Sequence, residues 1–101
     1  MNYWIITDTH FGHTKIQEYC GRPEGFENKI IKNTLSVCKP GDVLIHLGDI
    51  CIGDDEKWHD VFTYHVSSKL WLIRGNHDKK SAAWYLSHGW DCVSDSLTLD
   101  V

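Results

Sequence analysis

No cluster of lysine and arginine occurs anywhere in the 101 residues, and the formal net charge is −4. A nucleic-acid backbone is normally met by a basic stripe, so a dedicated nucleic-acid-binding surface is not expected, although a nucleic-acid phosphate stays open as a substrate. No apolar stretch approaches the length of a membrane span, and no basic segment leads into a signal-type core at the N-terminus. The expectation is a soluble, unsecreted protein with no membrane partner. Cys20, Cys38, Cys51 and Cys92 lack the close spacing of structural zinc sites and redox dithiols. They read as reduced thiols in a cytoplasmic protein. Repeats, linkers and low-complexity segments are absent too. With 42% hydrophobic residues, the chain has room for one modest core, as a small domain or part of a larger one.

What is present is a pattern that occurs three times: an apolar run that stops in residues able to bind a metal or move a proton. Tyr3 to Ile6 leads into Asp8-Thr9-His10, Val43 to Leu47 into Gly48-Asp49, and Leu70 to Ile73 into Arg74-Gly75-Asn76-His77-Asp78. Each run has the length and composition of a buried strand, and Gly75 allows a sharp turn just past the third. Open α/β sheets bind ligands at the carboxyl ends of their strands. All these side chains are therefore expected at one edge of one sheet.

Between the runs lie helical patterns. A short helix is expected over 14–20 and a longer one over 24–38, with Phe26, Ile30, Thr34 and Val37 on one face, widened by Ile31, Leu35 and Cys38. Pro40-Gly41-Asp42 turns the chain into the second strand. Asp54 suits an N-cap, and Trp58, Val61, Phe62, His65 and Val66 form the apolar stripe of the helix that follows. A further helix is expected over 80–88, stopped by Gly89, then a fourth strand over 90–93. A half-buried strand is expected over 97–101. The order is βαβαβαβ with right-handed crossovers, which predicts an α/β fold with a layered, mostly parallel sheet flanked by helices. The apolar runs suggest that both faces of the sheet are covered.

Taken singly, the polar clusters are weak signals. Asp8 also suits a turn cap and His10 the surface, while Gly-Asp and Asn-His are ordinary turn chemistry. His46, inside the second strand, reads as a hydrogen-bonded core residue, and His88 as a helix-end residue placed by the dipole. Arg74 and Arg22 suit either a phosphate grip or a salt bridge. A shared position at three strand ends is harder to explain structurally.

Asp8-Thr9-His10, Gly48-Asp49 and Gly75-Asn76-His77-Asp78 together resemble the first three motifs of the calcineurin-like metallophosphoesterases, in the family's order. The run Asp8-Thr9-His10-Phe11-Gly12-His13 and the later Tyr19-Cys20-Gly21-Arg22-Pro23 are similar to its small bacterial and phage branch. The resemblance implies the first half of a four-layer α-β-β-α sandwich and a divalent-metal-dependent phosphoesterase acting on a phosphate ester. Asp8 and His10 would hold one metal, Asp49 would bridge two, and Asn76 would serve the second. Two cations about 3.5–4 Å apart can activate water and clamp phosphoryl oxygens. The donor types suit manganese first, with iron, zinc or nickel as alternatives. His77 would protonate the leaving oxygen, oriented by Asp78, with Arg74 and Arg22 as substrate contacts.

The family's later lone histidine and Gly-His-x-His have no counterpart after Asp78. The second metal would then have only Asp49 and Asn76 from this chain. The sequence is accordingly expected to be an N-terminal portion of a longer enzyme, with self-association through an exposed sheet face. The alternative is a catalytically inactive, metal-binding or interaction remnant of the fold.

Overall fold

The computed structural model describes residues 2–12, 25–51, 55–75 and 78–96. The expected helix over 14–20, the Asp54 cap, Arg22, Asn76, His77 and the strand over 97–101 lie outside the described residues. Four strands, β1 (Tyr3–Ile6), β2 (Val43–His46), β3 (Lys69–Ile73) and β4 (Cys92–Ser94), form a parallel sheet in the order β1-β2-β3-β4. Among the described residues three helices connect them: α1 (Phe26–Val37), α2 (Asp55–His65) and α3 (Ala82–Ser87). This is an α/β fold, consistent with the first half of a metallophosphoesterase sandwich.

Strand periodicity sorts the sheet into two faces. Leu44, Leu70 and Leu72 form the helix side, packed with Ile31, Phe62, Val66, Tyr85 and Trp90 in a single core. Residues of opposite parity, Ile5, Ile45 and Trp71, align across the other face. There Ile5 is 63% and Tyr3 49% exposed, so β1 is covered on one face and not on both. The apolar run reports a strand but not what lies on its second side.

Helix faces differ from expectation in instructive ways. In α1, Phe26, Ile31 and Thr34 are buried, as is Cys38 just past its end, whereas Leu35 and Val37 are exposed. Val37 falls outside because α1 lies over the outer strand β1, where it borders an open apolar groove with Trp4, Ile6 and Leu44. In α2 it is His59, not His65, that turns inward. The indole N–H of Trp90 donates to His59 Nδ1 at 2.9 Å, satisfying two buried polar groups at once. Trp90 thereby packs beneath the sheet and β4 starts two residues later than expected. Asp91 starts that pairing, with its N–H donating to Leu70 O at 2.8 Å and its carboxylate accepting from Leu70 N–H at 2.8 Å.

The helix α3 is capped at Ser81, whose hydroxyl accepts from Trp84 N–H at 3.1 Å, and ends at His88. Gly89 follows with φ 102°, and a Cβ there would fall 2.5 Å from Thr63 Cβ. The glycine thus both ends the helix and admits α2. Opposite the candidate site, Asp42 accepts from Asn2 N–H, Trp4 indole N–H and Lys39 N–H at 3.0, 3.1 and 3.1 Å, which fastens the amino ends of β1 and β2. These bonds, the one from Asn2 foremost, hold its carboxyl below the usual carboxylate range.

Candidate metal centre

Past the carboxyl ends of β1 and β2 the two loops run side by side. Asp8 N–H donates to Gly48 O at 3.1 Å, His10 N–H to Asp49 O at 3.1 Å, and Phe11 N–H to Ile50 O at 2.8 Å. This short ladder continues the β1–β2 pairing beyond the sheet and brings Asp8, His10 and Asp49 together. Their ligand atoms lie within 4.8 Å of one another, and His10 Nε2 is 3.5 Å from Asp8 Oδ1.

The backbone at these positions is unusual. Asp8, His10 and Asp49 have φ of 54°, 49° and 55°, and they are the only non-glycine residues with positive φ among the described residues. The left-handed region is disfavoured for residues carrying a Cβ, and such conformations collect at functional sites where the surroundings enforce them. Alternation along Asp8-Thr9-His10 also separates the side chains. Thr9 is buried while Asp8 is exposed and His10 half-buried.

The third loop is fastened to the second by Asp78. Its Oδ2 accepts from Asp49 N–H and Gly75 N–H at 2.7 Å each, and its Oδ1 accepts from Ile50 N–H at 3.2 Å. The approach is close enough to require glycine on both sides. A Cβ on Gly48, where φ is 108°, would lie 2.5 Å from Gly75 N, and one on Gly75 would lie 2.9 Å from Asp49 Oδ1. Gly48 and Gly75 are therefore dictated by packing between the loops.

Two carboxylates and one imidazole, with no thiolate among them, suit a hard or borderline divalent cation. The mutual spacing of their ligand atoms is close to the width of the shell around one such ion, about 4 Å for bonds near 2.1 Å. The residues present fit a divalent metal. A second group, Glu56, Asp60 and His88, also falls within 4.8 Å, but on the outer surface of α2 and the end of α3. There His88 stacks on Trp84 at 3.8 Å, and its Nδ1 is 2.7 Å from Trp84 O, as befits a helix-end residue.

A model of the calcineurin-like phosphoesterase family matches residues 1–99. The chain belongs to that family. Among its relatives, the uncharacterized protein MJ1445 of Methanocaldococcus jannaschii is 34% identical, over 75% of this chain and 46% of that one. The crystal structure of AQ665, a protein of unknown function from Aquifex aeolicus, matches with a TM-score of 0.78 and 31% identity, over 94% of this chain and 52% of that one. This calcineurin-like phosphoesterase chain thus spans about half the length of each of these relatives. No helix among its described residues is long and apolar enough to cross a membrane.

Within this family member, Asp8, His10 and Asp49 come together, with Asp78 directly behind Asp49. Arg74 points along the sheet edge instead. Its Nε donates to Asp95 Oδ1 at 2.8 Å, an ion pair that raises the guanidinium pKa, and Nη1 reaches Lys80 O at 3.4 Å. The sequence gives no sign of the buried contact between Thr9 and His46, whose Oγ1 and Nε2 are 3.0 Å apart. His46 is fully buried behind the loops, and burial, followed by the nearby His59, pushes its pKa down to about 3. Burial likewise lowers His59 to about 4.

These depressed values have a pH signature. Well above pH 6.5 both histidines are neutral in either state and add nothing to the pH dependence. Below it the unfolded chain takes up two protons that the fold excludes, so stability falls as pH falls towards the folded values of about 4 and about 3. The limiting slope for two protons is about 2.7 kcal/mol per pH unit. Urea midpoints should drop between pH 6.5 and 5, above the range of ordinary carboxylates. A flat profile there would mean that both imidazoles are protonated inside the fold, and half the expected slope that one of them is.

Proposed function

We propose that the chain carries the catalytic loops of a divalent-metal-dependent phosphoesterase that hydrolyses phosphomonoesters or phosphodiesters. The observation that supports this reading is the convergence of Asp8, His10 and Asp49, each held in a left-handed backbone conformation, at the carboxyl edge of a parallel sheet. Asp8 and His10 would hold the first cation, Asp49 would serve both, and Asn76 would add an amide oxygen to the second, with the rest of its shell left to water, substrate or another chain. Manganese suits this set first. When bound, the cations supply a nucleophile from water at neutral pH and neutralise charge on the phosphoryl oxygens.

The protein's own groups then have separate tasks. His77 donates a proton to the leaving oxygen. Asp78, held by three backbone N–H groups, keeps Gly75 against the loop carrying Asp49. Arg74 contacts substrate only by leaving Asp95, and Arg22 offers a second cationic contact. In the 101-residue chain, the exposed face bearing Tyr3 and Ile5 pairs with a second copy. Sedimentation equilibrium should show association that Ile5→Lys abolishes; identical mass distributions would exclude this face.

The test of function is Mn²⁺-dependent hydrolysis of bis-p-nitrophenyl phosphate and of alkyl phosphate esters, with Asp49→Asn as the inactive control. Within that assay, His77→Ala should impair alkyl esters far more than nitrophenyl esters, because an acidic leaving group needs little protonation. General acid catalysis is worth about 10²–10⁴-fold. Equal losses on both substrates would make His77 a phosphate- or metal-positioning group. Metal-independent hydrolysis would overturn the reading.

A further inference from the structure

The loops that carry Asp8, His10 and Asp49 share one partner beneath them. His46 stands at the end of β2 with no exposed surface, its ring met edge-on by Phe62 and Trp90, both at 6.1 Å. The N–H of Gly48 donates to its Nδ1 at 3.0 Å. That nitrogen must therefore carry the lone pair, which places the proton of the neutral ring on Nε2. Nε2 lies 3.0 Å from Thr9 Oγ1, and the Thr9 hydroxyl donates to Ile50 O at 2.7 Å. Every donor then has an acceptor, in one direction only: Gly48 N–H to His46, His46 N–H to Thr9, Thr9 O–H to Ile50.

These partners interleave with the candidate ligands. Thr9 separates Asp8 from His10, while Gly48 and Ile50 flank Asp49. The backbone ladder fixes the distance between the loops, but a ladder alone does not hold three residues with side chains in the left-handed region. Anchoring Thr9 inward opposes relaxation of Asp8 and His10, and anchoring Gly48 does the same for Asp49.

The geometry points to His46 as a positioning residue that, through Thr9 and Gly48, presets both metal-bearing loops for a divalent cation. This rests on the metal site proposed above. Imidazole is suited to the task because its two nitrogens face opposite loops, one accepting and one donating. Asparagine can reproduce only the acceptor near Nδ1, and glutamine only the donor near Nε2.

The test is Mn²⁺ affinity of the full chain by calorimetry, with urea stability measured in parallel. Thr9→Val should weaken Mn²⁺ binding by about 10–100-fold, the usual effect of removing a group that orients a metal ligand, and Thr9→Ser should restore it. His46→Asn and His46→Gln, each keeping one of the two bonds, should both bind less tightly than the unsubstituted chain. Phe62→Leu, which loosens packing around the ring but removes no hydrogen bond, should lower stability and leave the affinity unchanged. The ¹⁵N shifts of metal-free His46 should show a protonated Nε2 and a bare Nδ1. Unchanged affinity in Thr9→Val, an equal loss in Phe62→Leu, or the opposite tautomer would each overturn the inference while the metal site stands. An unsubstituted chain that binds no Mn²⁺ would overturn the site itself, and the inference with it.

Discussion

Asp49→Asn should weaken Mn²⁺ binding by more than about 100-fold, beyond the 10–100-fold typical of groups behind the ligands, and by more than Asp8→Asn. Both changes keep side-chain shape and remove one negative charge. They differ in reach, because in the proposed site Asp8 serves one cation and Asp49 serves two. Asparagine at 49 leaves the backbone donor to Asp78 untouched, so the loop arrangement survives the change. Calorimetric titration of both variants gives the comparison. Equal losses would place Asp49 beside a single cation and remove its bridging role.

Asp78→Ala should have the largest effect on folding of any single change at the site. It removes the acceptors of Asp49, Ile50 and Gly75 N–H groups from a residue that is only 8% exposed. A buried donor left unsatisfied costs about 1–3 kcal/mol. The three together cost on the order of 3–6 kcal/mol once partial access of water is allowed, against a usual margin of about 5–15 kcal/mol. A lower urea midpoint and faster hydrogen exchange at Gly75 and Asp49 should appear together. If Asp78→Ala lost turnover while keeping full stability, Asp78 would serve His77 alone, and the three backbone bonds would be incidental.

The sheet and the order of its elements were legible because apolar runs and helical stripes are local signals. Asp8, His10 and Asp49 were legible for a related reason: each directly follows a strand, and parallel strands deliver their ends to a common edge. Contacts across the sequence were not. Asp78 accepts from N–H groups 28 and 29 residues away, and backbone donors leave no trace in side-chain identity. The rotation of α2 that buries His59 instead of His65 depends on Trp90, 31 residues on. Nothing local to Thr9 indicates that its hydroxyl turns inward to His46. Leu35 and Val37 looked like core because helical spacing cannot tell that α1 lies over an outer strand.

Anomalous diffraction at the manganese edge, from crystals of the 101-residue chain grown with Mn²⁺, tests the central claim most directly. The account predicts a peak bonded to the Asp8 and Asp49 carboxylates and to a ring nitrogen of His10. A map whose only manganese peak lies elsewhere, at Glu56, Asp60 and His88 for instance, would contradict it.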